Sequence, residues 1–414
     1  MINLDEDKLK TVVGRMRDLP PLPKVVSKML AVVNDERSAA KDLAEVISKD
    51  PAFTAKVLRI VNSAFYGFSE RISTVTHAVV ILGYQTIKDM TLGLSVFEVL
   101  GKKSEEALLD KNKFWQHSLG CASAARLLAK YTSYPEPEEA FIAGLLHDIG
   151  KITFDLYLRK DFIKVMDLVD NEGLSMFDAE KKIYGISHAQ MGEQVASKWN
   201  LPYTLRAVIR YHHAPIFGRG LNVFDQKIIA IVYFANIFCK LRGIGFRGDD
   251  IIQGIDEGAW NMLKLSDSSS LRILLQIDEE VSKARSLFSI SESAESDGRG
   301  MLYKEENSKK KLLLIEEKLS PVNIYWMALS AEGYFVERED SRNFDLSTLA
   351  GSDFDLILTD SEETGKQLKE MKMSIPVVKT DDIQRSDSVD YLNYVKPRKF
   401  VKAVGELLRK ESVV

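Results

Sequence analysis

The stretch Phe141-Ile142-Ala143-Gly144-Leu145-Leu146-His147-Asp148-Ile149-Gly150-Lys151 decides how the chain is read. Its spacing predicts one apolar helix, interrupted by the polar groups of His147, Asp148 and Lys151. An imidazole and a carboxylate buried side by side cost on the order of several kcal/mol unless something pairs with them. A divalent metal ion is the simplest partner, because neutral imidazole and ionised carboxylate are both good ligands and one carboxylate can bridge two ions.

Outward from that stretch, apolar residues recur every three or four positions from residue 4 to about residue 285, which predicts helix almost throughout. In Lys41–Ser63, Leu43, Val46, Ile47, Val57, Leu58 and Val61 are expected to face the core, while Lys41, Asp42, Glu45 and Lys49 stay in water. Asp50-Pro51 ends one helix and starts the next. Leu19-Pro20-Pro21-Leu22-Pro23, Gly67-Phe68 and Tyr134-Pro135-Glu136-Pro137 mark further breaks.

After Phe288 the composition changes: Ser289 to Lys311 is rich in Ser, Glu, Lys and Gly. Beyond it, Leu312–Ile315, Tyr334–Val336, Leu356–Leu358, Pro376–Val378 and Tyr394–Val395 are short apolar runs between helix-like stretches, the pattern of a parallel α/β sheet. The expected organisation is multidomain: an all-α domain over 1–288, a linker over 289–308 and a small doubly wound α/β domain over 309–414.

The 414 residues hold 56 Lys+Arg against 60 Asp+Glu, with 45% hydrophobic and 28% charged. That balance belongs to a globular protein and argues against direct nucleic-acid or anionic-membrane binding, which needs a basic excess to displace counterions. Two cysteines, Cys121 and Cys239, far apart and amid apolar residues, exclude a disulfide scaffold or zinc ribbon. No apolar run reaches the roughly 18–20 residues of a membrane span. Met-Ile-Asn-Leu-Asp-Glu-Asp at the start lacks a signal-peptide pattern, so a cytoplasmic location is expected.

The six histidines are His77, His117, His147, His188, His212 and His213. His77 reads as a hydrogen-bonded core residue. His117 and His188 lie near the polar-to-apolar border of helical segments, and His212-His213 closes a helix before Ala214-Pro215, where both rings can turn inward.

His117, His147-Asp148-Ile149-Gly150-Lys151, His188-Ala189-Gln190-Met191-Gly192 and His212-His213 resemble, in order and spacing, the HD-superfamily metal-dependent phosphohydrolases, especially the HD-GYP branch. Leu19–Pro23, Ser48–Tyr66 and Ala78–Gly83 look like the HDOD domain, a match that covers most of residues 10–245. The resemblance implies that His117, His147, Asp148, His188, His212 and His213 hold one or two divalent ions (Fe, Mn, Ni or Zn), and that Lys151 is the basic residue near a phosphate. Asp148 and Lys151 would then be the catalytic pair. Two features depart from the enzymes: Asn236 stands where they have a last metal-binding Asp, and Ala214–Gly218 carries no Gly-Tyr-Pro. HDOD domains are taken to be signalling or scaffold relatives of HD enzymes. The function implied is therefore a bacterial signal-transduction regulatory or scaffold protein; the alternative is a metal-dependent phosphohydrolase acting on a nucleotide or a cyclic dinucleotide such as cyclic di-GMP. The expected partners are signalling proteins, such a nucleotide, and a second copy of the chain as a homodimer.

The α/β segment, about residues 309–411, resembles the flavodoxin-like receiver domain of two-component response regulators. Glu316 and Glu317 match its acidic metal-binding pair, Asp360 its phosphate acceptor, Thr380 its switch hydroxyl and Lys396 its phosphate-contacting lysine, with Mg²⁺ as the implied ion. The Glu-Glu pair and the loop Ser361-Glu362-Glu363-Thr364-Gly365 depart from the family pattern. A degenerate receiver used for dimerisation or partner binding is expected.

Overall fold

The computed structural model describes residues 11–12, 14, 21–35, 37–63, 65–101, 108–215, 221–245, 251–253, 255–288, 307, 309–349, 352–371, 375–380, 394–395 and 397–410. Contacts divide the chain into two compact units. One is Met1–Cys239 with Gly245–Asp249 and Gln276–Ser296; the other is Lys240–Ile244 with Asp250–Leu275 and Asp297–Val414. This division differs from one at residue 288. Composition marks where the chain becomes polar, whereas Asp250–Leu275 packs with the C-terminal residues.

The first unit is helical: α1 (Lys24–Val33), α2 (Ala40–Ser48), α3 (Pro51–Val61), α4 (Val75–Leu82), α5 (Tyr84–Leu100), α6 (Lys111–Tyr131), α7 (Pro137–Leu146), α8 (Ile149–Tyr157), α9 (Arg159–Asn171), α10 (Met176–Tyr184), α11 (His188–Lys198), α12 (Tyr203–Tyr211) and α13 (Val223–Arg242). Local chemistry sets the starts. Asp50 caps α3, its carboxylate accepting from the Phe53 amide at 3.0 Å with Pro51 in the first turn, as the sequence predicts. Asp110 does the same for α6 through Lys113. Ser175 caps α10.

Two local expectations are corrected. His77 is exposed on α4, not in the core, because Val75, Ala78 and Val79 are the residues that α4 buries. The helix predicted over 141–151 breaks in two at His147-Asp148, between α7 and α8. Adjacent residues of one continuous helix project about 100° apart. The break allows the two side chains to share one centre.

Small residues bring the helices around that break close together. A Cβ added to Gly144 would lie 2.7 Å from the Cys121 carbonyl oxygen on α6, and one on Gly150 would lie 1.9 Å from the His188 carbonyl oxygen on α11. Only glycine permits these approaches. Thus α6 backs α7, and α11 lies directly against α8.

In the second unit, β2 (Lys311–Glu316), β3 (Phe335–Asp340), β4 (Leu356–Thr359) and β5 (Val377–Lys379) form a parallel sheet in the order β3-β2-β4-β5. Leu314 pairs with Arg338 on one side and Leu358 on the other. Leu312–Ile315 and Leu356–Leu358 are buried, as inner strands of a covered parallel sheet should be. Leu313, Ile315, Leu349, Ile357 and Leu368 form a core, with Leu368 on α17 (Glu362–Glu370); α16 is Ile324–Ala331 and α18 is Pro397–Lys410. The fifth expected strand, β6 (Tyr394–Val395), is not in this sheet among the described residues. It pairs antiparallel with β1 (Ile252–Gln253), inside the stretch predicted to be helical, where α14 (Glu257–Leu263) and α15 (Asp267–Phe288) follow. A two-residue strand is too short for its apolar pattern to reveal its partner. Among the described residues, no helix is long and apolar enough to cross a membrane.

Because the Gly150 contact is with backbone, which cannot swing away as a side chain can, Gly150→Ala is expected to lower stability by more than the about 1–3 kcal/mol of ordinary overpacking. Urea denaturation measures this, and an unchanged midpoint would refute the close α8–α11 approach.

Candidate metal centre

Asp148 is 1% exposed, and four imidazoles and an ammonium converge on it. Its Oδ2 lies 3.2 Å from His147 Nε2, 3.7 Å from His117 Nε2 and 2.8 Å from Lys151 Nζ. Its Oδ1 lies 3.2 Å from His188 Nε2 and 3.4 Å from His212 Nε2. His213 Nε2 is 2.9 Å from His188 Nε2, and its ring is only half-buried. Each residue comes from a helix boundary except His117 in α6 and Lys151 in α8: His188 opens α11, and His212-His213 follow α12. The sequence-predicted set is therefore brought together.

The outward nitrogens fix how the rings present themselves. His147 Nδ1 lies 2.7 Å from the Gly144 carbonyl oxygen and His212 Nδ1 lies 2.9 Å from that of Ile209, so each Nδ1–H donates and each Nε2 keeps its lone pair for the centre. Glu180 Oε2 accepts from both the backbone N–H and Nδ1 of His188, each at 2.6 Å. Among the described residues, His147 Nε2, His212 Nε2 and Asp148 Oδ1 have no hydrogen-bond partner. Lone pairs facing a carboxylate at this range repel one another. A cation between them converts that repulsion into coordination, so the donor set fits a metal ion.

With no ion bound, a proton can take the metal's place. Burial alone would raise the Asp148 pKa, but a protonated His147 and the Lys151 ammonium outweigh it and hold the carboxyl well below the usual range. Burial pushes His212 down to about 3. For His188, burial lowers the pKa but the Glu180 carboxylate outweighs it, and the net shift is upward.

Glu180 is a residue in contact with the centre that histidine spacing does not single out. Its signal lay in α10, where it shares the buried face with Met176, Ala179 and Tyr184, a charged residue on an apolar stripe. Cys121 is a second one: its Sγ is 3.5 Å from His117 Nε2.

Residues 19–215 match the HDOD domain family. The crystal structure of an HDOD domain protein with unknown function from Geobacter sulfurreducens is similar at a TM-score of 0.58 and 26% identity, covering 69% of this chain and 99% of that one. Residues 19–215 are an HDOD domain. An uncharacterised protein of Treponema pallidum is 24% identical over 267 residues, which are 64% of this chain and 50% of that protein. Uncharacterised YuxH of Bacillus subtilis is 27% identical over 164 residues, 38% of this chain and 39% of its own length. The chain thus spans half or less of these relatives.

All the converging residues named above lie within the HDOD domain. Asn236, beyond its matched residues, is buried in α13 with its Oδ1 unpartnered among the described residues. Ile216–Gly218, in the segment that carries no Gly-Tyr-Pro, lie outside the described residues.

Beyond the HDOD domain, the strand ends depart from the expected acidic pocket. Glu316 is buried, and its carboxylate is taken by Arg338 on β3, whose Nε lies 2.7 Å from Oε1. The Ser320 amide donates to Oε2 at 3.2 Å. Arg338 also reaches Asp267, at 3.1 Å. The neighbouring strand thus supplies a positive charge to Glu316. Glu317 and Asp360 are exposed and adjacent, the Glu317 amide donating to Asp360 Oδ1 at 2.6 Å. Thr380 follows β5 and is fully buried. Lys396 lies outside the described residues.

His212 gives this centre a pH signature. Folded, it stays neutral down to about 3; unfolded, it takes a proton near pH ~6.5. The unfolded chain binds the extra proton between those values, so stability falls as pH drops through that window, by on the order of 1 kcal/mol per pH unit from this residue. His188, with its raised pKa, acts in the opposite direction. Urea denaturation in chelator at about pH 7 and about pH 4 should show a smaller loss for His212→Gln than for the unaltered protein. Equal losses would remove His212 as the cause.

Proposed function

We propose that the HDOD domain is a metal-holding regulatory module of a bacterial cytoplasmic signal-transduction protein, acting through contacts with other signalling proteins and not through turnover. One observation carries this: Lys151, the residue that would meet a substrate phosphate, is 3% exposed and its ammonium lies 2.8 Å from Asp148. Asn236, a neutral amide, also supplies less charge compensation than a carboxylate would. An ion held by Asp148, His188, His212 and His213 would tie the α7–α8 break to the ends of α11 and α12, so its occupancy would govern the packing of those helices.

A second reading, a phosphohydrolase acting on a nucleotide or cyclic dinucleotide, is favoured by the two-sided use of Asp148. Oδ2 faces His147 and His117 while Oδ1 faces His188 and His212, the arrangement of a carboxylate that bridges two ions. When bound, such ions supply Lewis acidity and a water whose pKa falls towards ~7. Lys151 would have to leave Asp148 to meet the phosphate.

Metal analysis of the purified protein, together with turnover assays on cyclic di-GMP and nucleotide phosphoesters, separates the two readings. The expected result is bound transition metal that Asp148→Ala loses, without turnover. Hydrolysis abolished by Asp148→Ala would establish the second reading, and metal-free protein would end both.

For the C-terminal sheet we propose a receiver-like domain that binds a partner or a second copy without phosphorylation, supported by the Arg338–Glu316 pair. Acetyl phosphate with Mg²⁺ is expected to leave Asp360 unlabelled. A label that Asp360→Ala removes would overturn this.

A further inference from the structure

We infer that the Oδ2 side of Asp148 is a mixed nitrogen, sulfur and oxygen site in which Cys121 is a ligand, so that this position takes a thiolate-tolerant cation such as zinc in preference to magnesium or manganese. The inference rests on the metal-centre reading and adds to it the identity of one donor and the class of ion.

His117 and Cys121 stand one turn apart on the same face of α6. Cys121 Sγ lies 3.5 Å from His117 Nε2. The ligand atoms of His117, Cys121 and His147 all fall within 4.8 Å of one another, and all three residues are buried. Asp148 Oδ2 lies beside two of these donors, at 3.2 Å from His147 Nε2 and 3.7 Å from His117 Nε2.

These separations can be compared with what a metal demands. In a tetrahedral site with bonds of about 2.0–2.1 Å to nitrogen or oxygen and about 2.3 Å to sulfur, neighbouring donors stand roughly 3.3–3.6 Å apart. Three of the six edges, at 3.5, 3.2 and 3.7 Å, straddle that range before any adjustment.

A buried cysteine is ordinarily a small apolar residue. Two observations separate Cys121 from that case. It faces an imidazole nitrogen, and the neighbouring His147 Nε2 is fully buried with no hydrogen-bond partner among the described residues. The backbone also holds the donors in place. A Cβ on Gly144 would strike the Cys121 carbonyl oxygen, and Gly245, at φ +93°, lies so close to His117 that its Cβ would come within 2.4 Å of the His117 Cβ. Cys239 on α13, a second buried free cysteine, is the control residue.

Thiolate is a soft ligand that suits zinc and cobalt, whereas magnesium and manganese favour oxygen. The test is cobalt(II) titration of metal-free protein in a phosphine reductant. The unaltered protein and Cys239→Ser should develop a near-ultraviolet thiolate-to-cobalt charge-transfer band. Cys121→Ser should lack the band and bind fewer cobalt ions per chain, while keeping cobalt at the His188 side. Should Cys121→Ser fail to fold, Cys121→Ala reads the same band. Cobalt bound without the band, or a band that survives loss of Cys121, overturns the role of Cys121 and leaves the metal centre standing. No cobalt bound by the unaltered protein overturns both.

Discussion

One buried carboxylate organises the first unit. Asp148 has almost no access to water, and among the described residues five nitrogens from separate turns of helix face it: His117 on α6, His147 at the end of α7, Lys151 on α8, His188 on α11 and His212 after α12. An isolated charge at that depth would unfold the domain or take up a proton. Its stability as an anion requires all of those helices to arrive together. The glycines make this feasible, because Gly144 and Gly150 remove the side chains that would keep α6 from α7 and α11 from α8.

The second unit meets the same physical problem differently. Glu316 is also buried, yet its compensation is a single guanidinium from the adjacent strand, held in turn by Asp267. Arginine cannot be deprotonated at ordinary pH, and its planar fork suits a carboxylate. This pair is self-sufficient, whereas the lone pairs around Asp148 are not. The contrast explains why one acidic position reads as a ligand site and the other as structure.

Much of this was legible in the sequence. Polar residues inside apolar helical spacing pointed to His147 and Asp148, and the order of the remaining histidines pointed to their partners. The inner strands β2 and β4 announced themselves as unbroken apolar runs. The rest depended on information that local pattern does not carry. No Pro marks the helix break at His147-Asp148, and Gly144 and Gly150, which flank it, fall inside the helices on either side. Arg338 meets Glu316 only through strand register, and β1 finds β6 across some 140 positions of sequence. Cys121 and Cys239, remote in sequence and apolar in context, become neighbours only when α6 and α13 pack.

His213 differs from its companions in being half-buried, with its ring against Phe177, over which the Lys181 ammonium also lies. Among the described residues His213 is thus the most exposed imidazole of the centre. Of the donors that would hold an ion, it is the one for which water can compete most directly, so the set grades from a wet rim to a dry interior.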